Sequence, residues 1–147
     1  MSRRPPRHTM AGRSISGSRR ALILGLLALI SCRPAPTMDD LRPELSSIQT
    51  NLFDVHCAVA GCHRGGAPES QLDLEAGNSY SSLVDVASVG LPGMIRVYPG
   101  RPDSSYLVRK LSGEGIVGER MPLGKQPLPD SLLETIQAWI RAGAPSE

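Results

Sequence analysis

Aromatic residues and cysteines are scarce in this sequence, and no apolar run is long. One phenylalanine, one tryptophan and three tyrosines make up 3% of the 147 residues, and there are three cysteines. The apolar run at residues 21–30, "ALILGLLALI", has ten residues. Because a bilayer span needs about 20 residues, this run predicts no transmembrane helix. With so few cysteines, a scaffold held by many disulfides is excluded as well.

Acidic residues are absent from residues 1–32, which hold six arginines. A basic stretch followed by a short apolar run is typical of an export signal. The "LIS" before Cys32 resembles the lipobox of bacterial lipoproteins, after which the signal is removed and the cysteine is lipidated. An ordinary signal peptide with a chance cysteine is the alternative. We therefore expect a signal peptide over residues 1–31, a lipidated Cys32, and a proline-rich tether over residues 32–43.

The expected signal peptide and lipidated cysteine predict where the protein is located and what net charge it carries after processing. The chain would be exported to the bacterial periplasm or cell surface and anchored to a membrane through Cys32. The outer membrane is favoured because Arg33 is not the aspartate of an inner-membrane retention signal. Six of the sixteen basic residues lie in the leader and all fourteen acidic residues lie beyond it, so the remaining chain carries ten basic residues and a net charge of −4. A nucleic-acid partner is therefore not expected.

Residues 44–147 are predicted to form one domain of short helices joined by long irregular segments. A helix over residues 44–56 is predicted by the spacing of four apolar residues: Leu45, Ile48, Leu52 and Val55. A short helix is expected over residues 79–86 and a short strand over residues 95–98. A third helix would be capped by Asp103 or Ser104, would pack through Leu107, Val108 and Leu111, and would end at Gly113.

The last predicted helix has the clearest pattern. Ser131 and Glu134 would form a capping box, and Gly143 would end the helix. Its apolar face would consist of Leu132, Ile136, Trp139 and Ile140. Long irregular segments and few aromatic residues fit a domain built around a large apolar cofactor, although a small aliphatic core is feasible at this length.

Residues 53–66, "FDVHCAVAGCHRGG", hold the remaining two cysteines. Covalent haem attachment uses two thiols, which add to the two vinyl groups, and a histidine beside the second thiol. Cys57, Cys62 and His63 supply these groups in order, with four residues between the cysteines where the usual motif has two. A disulfide between Cys57 and Cys62 is the alternative in an oxidising compartment. A zinc site using His56 as a fourth ligand is disfavoured, because adjacent residues rarely both reach one tetrahedral ion.

A haem at this motif would need a second axial ligand from a distant part of the chain. Met121, in the irregular "GERMPLG", is the best candidate, and Met94, in "LPGMIRV", is the alternative. A thioether ligand raises the reduction potential of haem iron. A lone methionine is more often a core residue, so neither one identifies the site by itself.

Residues 48–144 resemble the c-type cytochrome domains of bacterial surface and periplasmic lipoproteins. The matching pieces are a helix leading into C-x4-C-H, then "LDL", "VYPGRPDSSYLVRKL", "MP" and "IQAWIRAGA". The resemblance implies a mainly α, cytochrome c-like fold, with few short helices and long loops around one haem, in which the first and last helices cross. It also implies thioether bonds at Cys57 and Cys62, with His63 as the proximal and Met121 as the distal ligand of the iron.

Together these features predict a lipid-anchored monohaem cytochrome with covalent haem c. It would be an electron carrier rather than an enzyme, and its partners would be redox proteins and the anchoring membrane. From their positions, Trp139 is expected near the haem and Arg96 is expected to face a propionate. The alternative is a haem-free, disulfide-stapled lipoprotein domain that acts as an interaction module.

Overall fold

The computed structural model describes residues 41–147. The predicted signal peptide, Cys32 and most of the tether lie outside the described residues. Within residues 41–147 the chain is mainly helical, with short helices and no strand. No helix of this part is long and apolar enough to cross a membrane. The helices are α1 (Leu45–Ile48), a π-helical segment that continues it (Gln49–Cys57), α2 (Ser79–Leu83), α3 (Tyr106–Ser112) and α4 (Asp130–Arg141), with 3-10 turns at Glu69–Gln71 and Pro102–Ser104.

The first helix lies where the sequence predicts it but is wound differently. The N–H of Ala58 donates to the carbonyl of Phe53, five residues back, at 2.7 Å. In this wider turn, residues four or five apart share a face, so Phe53 and Cys57 are buried. The prediction that Val55 belongs to the apolar face is wrong, since this side chain is 43% exposed. The buried face of the helix therefore ends on Cys57.

The start of α3 differs from the prediction, whereas its end agrees. Asp103 and Ser104 lie in the preceding 3-10 turn, and neither caps the helix; the N-cap is Ser105. The hydroxyl of Ser105 accepts the N–H of Tyr98 at 2.9 Å, so it bonds to the incoming chain instead of the first helical turn. Gly113 ends α3 in the left-handed conformation, with φ of 90°, as expected of a glycine after a helix.

The predicted capping box of α4 is wrong, because the helix begins at Asp130 with Pro129 as its N-cap. Ser131 is thereby inside the first turn. The predicted apolar face is confirmed, since its four residues are all buried: Leu132, Ile136, Trp139 and Ile140. The indole Nε1 of Trp139 donates to the carbonyl of Pro145 at 2.9 Å, so the tryptophan fixes the chain that follows the helix.

The segment between α2 and α3 is held by isolated bridges instead of the predicted strand over residues 95–98. Val97 pairs with Val84, and Ile95 pairs with Ala87 and with Ser105. The N–H of Arg96 donates to the carbonyl of Val86 at 2.7 Å. The helix predicted over residues 79–86 ends earlier, at Leu83, because the residues that follow it are used in these bridges.

The buried side chains form one cluster. It joins residues of α1 and the π-helical segment to residues of α4, so the first and last helices share a core. Phe53 and Trp139 are its largest fully buried members, and the rest are mostly aliphatic. Met121 is half-buried and packs against the cluster from the outside. Both ends of the domain and its middle thus contribute side chains to the core, and a cavity lies beside it.

Candidate functional site

A cavity of about 600 Å³ lies beside the core, within the roughly 300–1,000 Å³ typical of cofactor pockets. The four residues expected from the sequence to hold a haem all line it: Cys57, Cys62, His63 and Met121. Most of the other lining side chains are apolar, and they come from the π-helical segment, from α3 and from the loops. Met94 and Trp139 are not among the lining residues. The cavity therefore gathers the two thiols, the adjacent histidine and one of the two candidate methionines.

One side of the cavity is formed by residues 57–63, which we call the cysteine–histidine wall. The N–H of His63 donates to the carbonyl of Cys57 at 3.2 Å, and that of Cys62 donates to Val59 at 3.0 Å. Gly61 adopts φ of 79°, a conformation that favours glycine, and so allows this turn. The four-residue spacer is thus folded into a hydrogen-bonded turn that brings both cysteines and His63 to the same cavity.

The two cysteines are free thiols in different environments. Cys57 is buried and Cys62 is half-buried. Burial raises the pKa of Cys57 to about 12, and the nearby Cys62 contributes in the same direction. A thiol with so high a pKa is neutral at neutral pH and is a poor nucleophile. The environment of Cys57 therefore does not support nucleophilic cysteine catalysis.

The ring of His63 is held by a hydrogen bond from one of its nitrogens. Its Nδ1 lies 3.2 Å from the carbonyl oxygen of Glu69. Because a carbonyl only accepts, Nδ1 carries the hydrogen of this bond, and the lone pair is left on Nε2. Burial lowers the pKa of His63, against the opposing effect of backbone hydrogen bonds. The ring is thus favoured in the neutral form, which is the form that coordinates iron.

A second part of the cavity lining comes from residues 113–125, which we call the methionine loop. The N–H of Met121 donates to the carbonyl of Lys110 in α3 at 2.7 Å. The N–H of Val117 donates to the hydroxyl of Tyr106 at 3.1 Å. These bonds attach an irregular segment to a helix whose face, with Leu107 and Leu111, also lines the cavity.

Arg96 places a buried cation on the cavity wall. It is 7% exposed, and its two terminal nitrogens donate to the carbonyls of Ser82 at 2.7 Å and Ser70 at 2.8 Å. Burial lowers its pKa. The ion pair found within residues 41–147 joins Arg64 to Glu75, so Arg96 has no carboxylate partner in this part of the chain. A buried guanidinium without a counterion is suited to binding a carboxylate that enters the cavity.

The mouth of the cavity carries apolar side chains that the sequence reasoning did not single out. Four of its lining residues are large hydrophobics exposed by more than a third: Val59, Val89, Val117 and Leu123. Lys110 and Tyr106 were also missed as site residues. A signal for Lys110 was available, since it lies three residues after Leu107 on the same helical face. The exposed valines gave no such signal, because their loops have no periodicity.

The four side chains considered for zinc do not gather around one point. Within the described part of the chain, no group of three or more His, Cys, Asp and Glu side chains lies within reach of a single metal ion. Comparisons with protein-family models, curated protein sequences and solved structures found no match for this chain. The functional argument therefore depends on the residues and the geometry of the cavity.

Proposed function

We propose that the protein is a lipid-anchored monohaem c-type cytochrome that carries single electrons. Haem c would be attached through Cys57 and Cys62, with His63 and Met121 as the axial ligands of the iron. The proposed fold is the cytochrome c-like one, with the haem between the cysteine–histidine wall and the methionine loop. The observation that carries the proposal is that one apolar cavity is lined by both thiols, by His63 and by Met121.

The residues of the cavity fit a porphyrin in three respects. The lining is mostly apolar, as the faces of the ring require. The Nδ1 of His63 is bonded to the carbonyl of Glu69, which leaves the lone pair of the neutral ring on Nε2. Arg96 offers buried donors to a carboxylate, which a porphyrin carries on its propionates. Two of these features, the buried cation and the apolar void, would cost stability in a cavity without a ligand.

In this proposal the polypeptide binds the haem and keeps water away from the iron. The haem, when bound, supplies a one-electron ferrous–ferric couple. His63 and Met121 would hold the axial positions, and the surrounding leucines and valines would limit access of water to the iron. Because both axial positions would be taken by protein ligands, the proposal assigns the protein electron transfer with a redox partner and no catalytic turnover.

The competing proposal is a haem-free domain stapled by a disulfide. Cys57 and Cys62 lie at the two ends of one hydrogen-bonded turn, and an exported thiol pair without a cofactor would be oxidised. The two proposals therefore make opposite claims about the same two sulfur atoms.

The deciding experiment is to express the full chain in a bacterial host that has a haem-attachment system. A denaturing gel stained for haem peroxidase activity, together with the intact mass, reports covalent attachment. We expect a stained band whose mass includes one haem, and no stain for the Cys57→Ser/Cys62→Ser double variant. An unstained wild-type band whose two thiols resist alkylation until they are reduced would support the disulfide proposal instead.

The anchor is tested separately from the haem. We expect the wild-type chain to sediment with membranes and to partition into detergent. Cys32→Ser should release it to the soluble fraction without changing the haem stain. A wild-type chain that is soluble and not lipidated would overturn the lipoprotein assignment but leave the haem proposal standing.

A further inference from the structure

We propose that Lys110 is a positioning residue for Met121: it fastens the methionine loop to α3 and thereby sets how readily Met121 leaves the iron. The second half of this statement rests on the proposed haem ligation, whereas the first half concerns the polypeptide alone.

The methionine loop needs external anchors to hold one conformation. Within residues 113–125 there is no helix or strand. The loop contains four glycines, all with positive φ: Gly113, Gly115, Gly118 and Gly124. Glycine loses more conformational freedom on ordering than any other residue, so this loop is costly to order. The guanidinium of Arg120 bonds within the loop, to the carbonyls of Met121 at 3.3 Å and Lys125 at 2.8 Å. Those bonds do not attach the loop to the rest of the domain, so contacts from outside it are needed to fix the place of Met121.

Lys110 makes three such contacts. Its ammonium donates to the carbonyls of Val117 at 3.2 Å and Glu119 at 2.5 Å, and its own carbonyl accepts the N–H of Met121 at 2.7 Å. The bonded residues are spaced two apart along the loop. Lys110 therefore holds the whole stretch 117–121 against one turn of α3.

The helix that carries Lys110 is itself well fixed. Tyr106, Val108 and Leu111 of α3 are buried, and Leu107 and Leu111 line the cavity beside Lys110. Lys110 itself is partly exposed, but the helix that carries it is fixed by the core, so its bonds tie the loop to the packed part of the domain. Within residues 41–147 its ammonium is in no ion pair with a carboxylate, so the backbone carbonyls of the loop are its partners.

The chain offers a matched control in Lys125. This lysine also lines the cavity, but within the described residues its ammonium makes no hydrogen bond. Lys110→Met and Lys125→Met remove the same charge from the same cavity, and only the first removes bonds to the loop. The main-chain bond from Met121 to residue 110 is retained in both variants, so the loop is loosened but not detached.

The experiment compares the full-length wild-type chain with both variants by two measurements. Amide hydrogen exchange of residues 117–121 reports the loop, and the rate at which cyanide binds the ferric haem reports departure of Met121. In Lys110→Met we expect both rates to rise about tenfold, because the variant loses both ammonium hydrogen bonds, to Val117 and Glu119, and each contributes modestly where it is exposed to water. In Lys125→Met we expect neither to change.

The outcomes separate this inference from the proposed function. Equal amide exchange in all three chains would overturn the inference, whether or not the protein is coloured. Faster cyanide binding in both lysine variants would also overturn it, because charge alone would then explain the effect. A wild-type chain without haem would overturn the proposed function and the iron half of the inference, and amide exchange would still decide whether Lys110 holds the loop.

Discussion

The two sides of the cavity are held in different ways. In the cysteine–histidine wall, the bonds that shape the turn run between main-chain groups: Cys62 to Val59, His63 to Cys57, and Leu74 to His63. The ring of His63 is likewise fixed by a main-chain oxygen, that of Glu69. In the methionine loop, side chains do much of this work, chiefly Lys110 and Tyr106.

This difference teaches where substitutions will be felt. Main-chain bonds survive most changes of side chain, so the cysteine–histidine wall should tolerate substitutions around Cys57, Cys62 and His63. The methionine loop depends on the side chains of α3, so substitutions in α3 should change how firmly Met121 is held. In the proposed cytochrome, attachment would be robust and the potential would be tunable.

The largest effect is expected from His63→Ala, which removes the proposed proximal ligand and keeps the main chain of the wall. Haem stain should fall to background, because in the proposed cytochrome this imidazole orients the porphyrin beside the second thiol. The measurement is stain per unit of protein after export. The control is His56→Ala, since His56 also lines the cavity but forms no side-chain hydrogen bond within the described residues. Equal loss in the two variants would show that His63 has no special role.

The second-largest effect is expected on stability, from substitution of a core residue that does not line the cavity. Trp139 is fully buried and does not line the cavity, so Trp139→Ala should lower the free energy of unfolding by roughly 3–5 kcal/mol. Denaturant titration of the purified protein measures this loss.

Trp139→Phe is the matched control for that loss. It keeps most of the buried ring and removes the bond to Pro145, so its cost should be about 1 kcal/mol. The absorption spectrum of the native protein should be unchanged in both tryptophan variants. A changed spectrum with little loss of stability would instead support the sequence expectation that Trp139 packs near the haem.

Met121→Ala tests whether Met121 is the distal ligand. In the proposed cytochrome, loss of the thioether should abolish the weak absorption band that a Met–iron bond gives. It should also lower the reduction potential by on the order of 0.1 V, within the roughly 0.8 V range that axial ligands cover. Optical redox titration measures both effects.

Met94→Ala is the control for Met121→Ala, because Met94 does not line the cavity. Its spectrum and potential should match those of the wild type. If Met94→Ala removed the band and Met121→Ala did not, the assignment of the distal ligand would be reversed.

Sequence reasoning succeeded where side-chain chemistry carries the signal and failed where the backbone does. The apolar face of α4 follows from spacing alone. The exposure of Val55 could not be predicted, because a wider helical turn changes the register without changing composition. The cap expected from Ser131 was displaced because Pro129 starts the helix earlier. The role of Lys110 was missed because its partners are carbonyl oxygens, which every residue possesses.

The smallest effect is expected from Glu75→Gln, which removes a side-chain support of the cysteine–histidine wall. The Oε1 of Glu75 lies 3.2 Å from the Nε of Arg64, and its Oε2 accepts the N–H of Gly65 at 3.1 Å. The two side chains of this pair are 55% and 35% exposed, and exposed pairs contribute about 0–1 kcal/mol. Denaturant titration should therefore show a loss below about 1 kcal/mol, and haem stain should be unchanged.

Glu69→Gln is the natural companion to that variant, because it changes a nearby carboxylate but keeps the main-chain oxygen that binds His63. Both glutamine variants should bind cyanide at the wild-type rate, in contrast to Lys110→Met. If Glu75→Gln accelerated cyanide binding as much as Lys110→Met does, the attachment side would also depend on side chains. The contrast between the main-chain bonds of the cysteine–histidine wall and the side-chain bonds of the methionine loop would then be wrong. The positions of His63 and Met121 would both depend on single side chains.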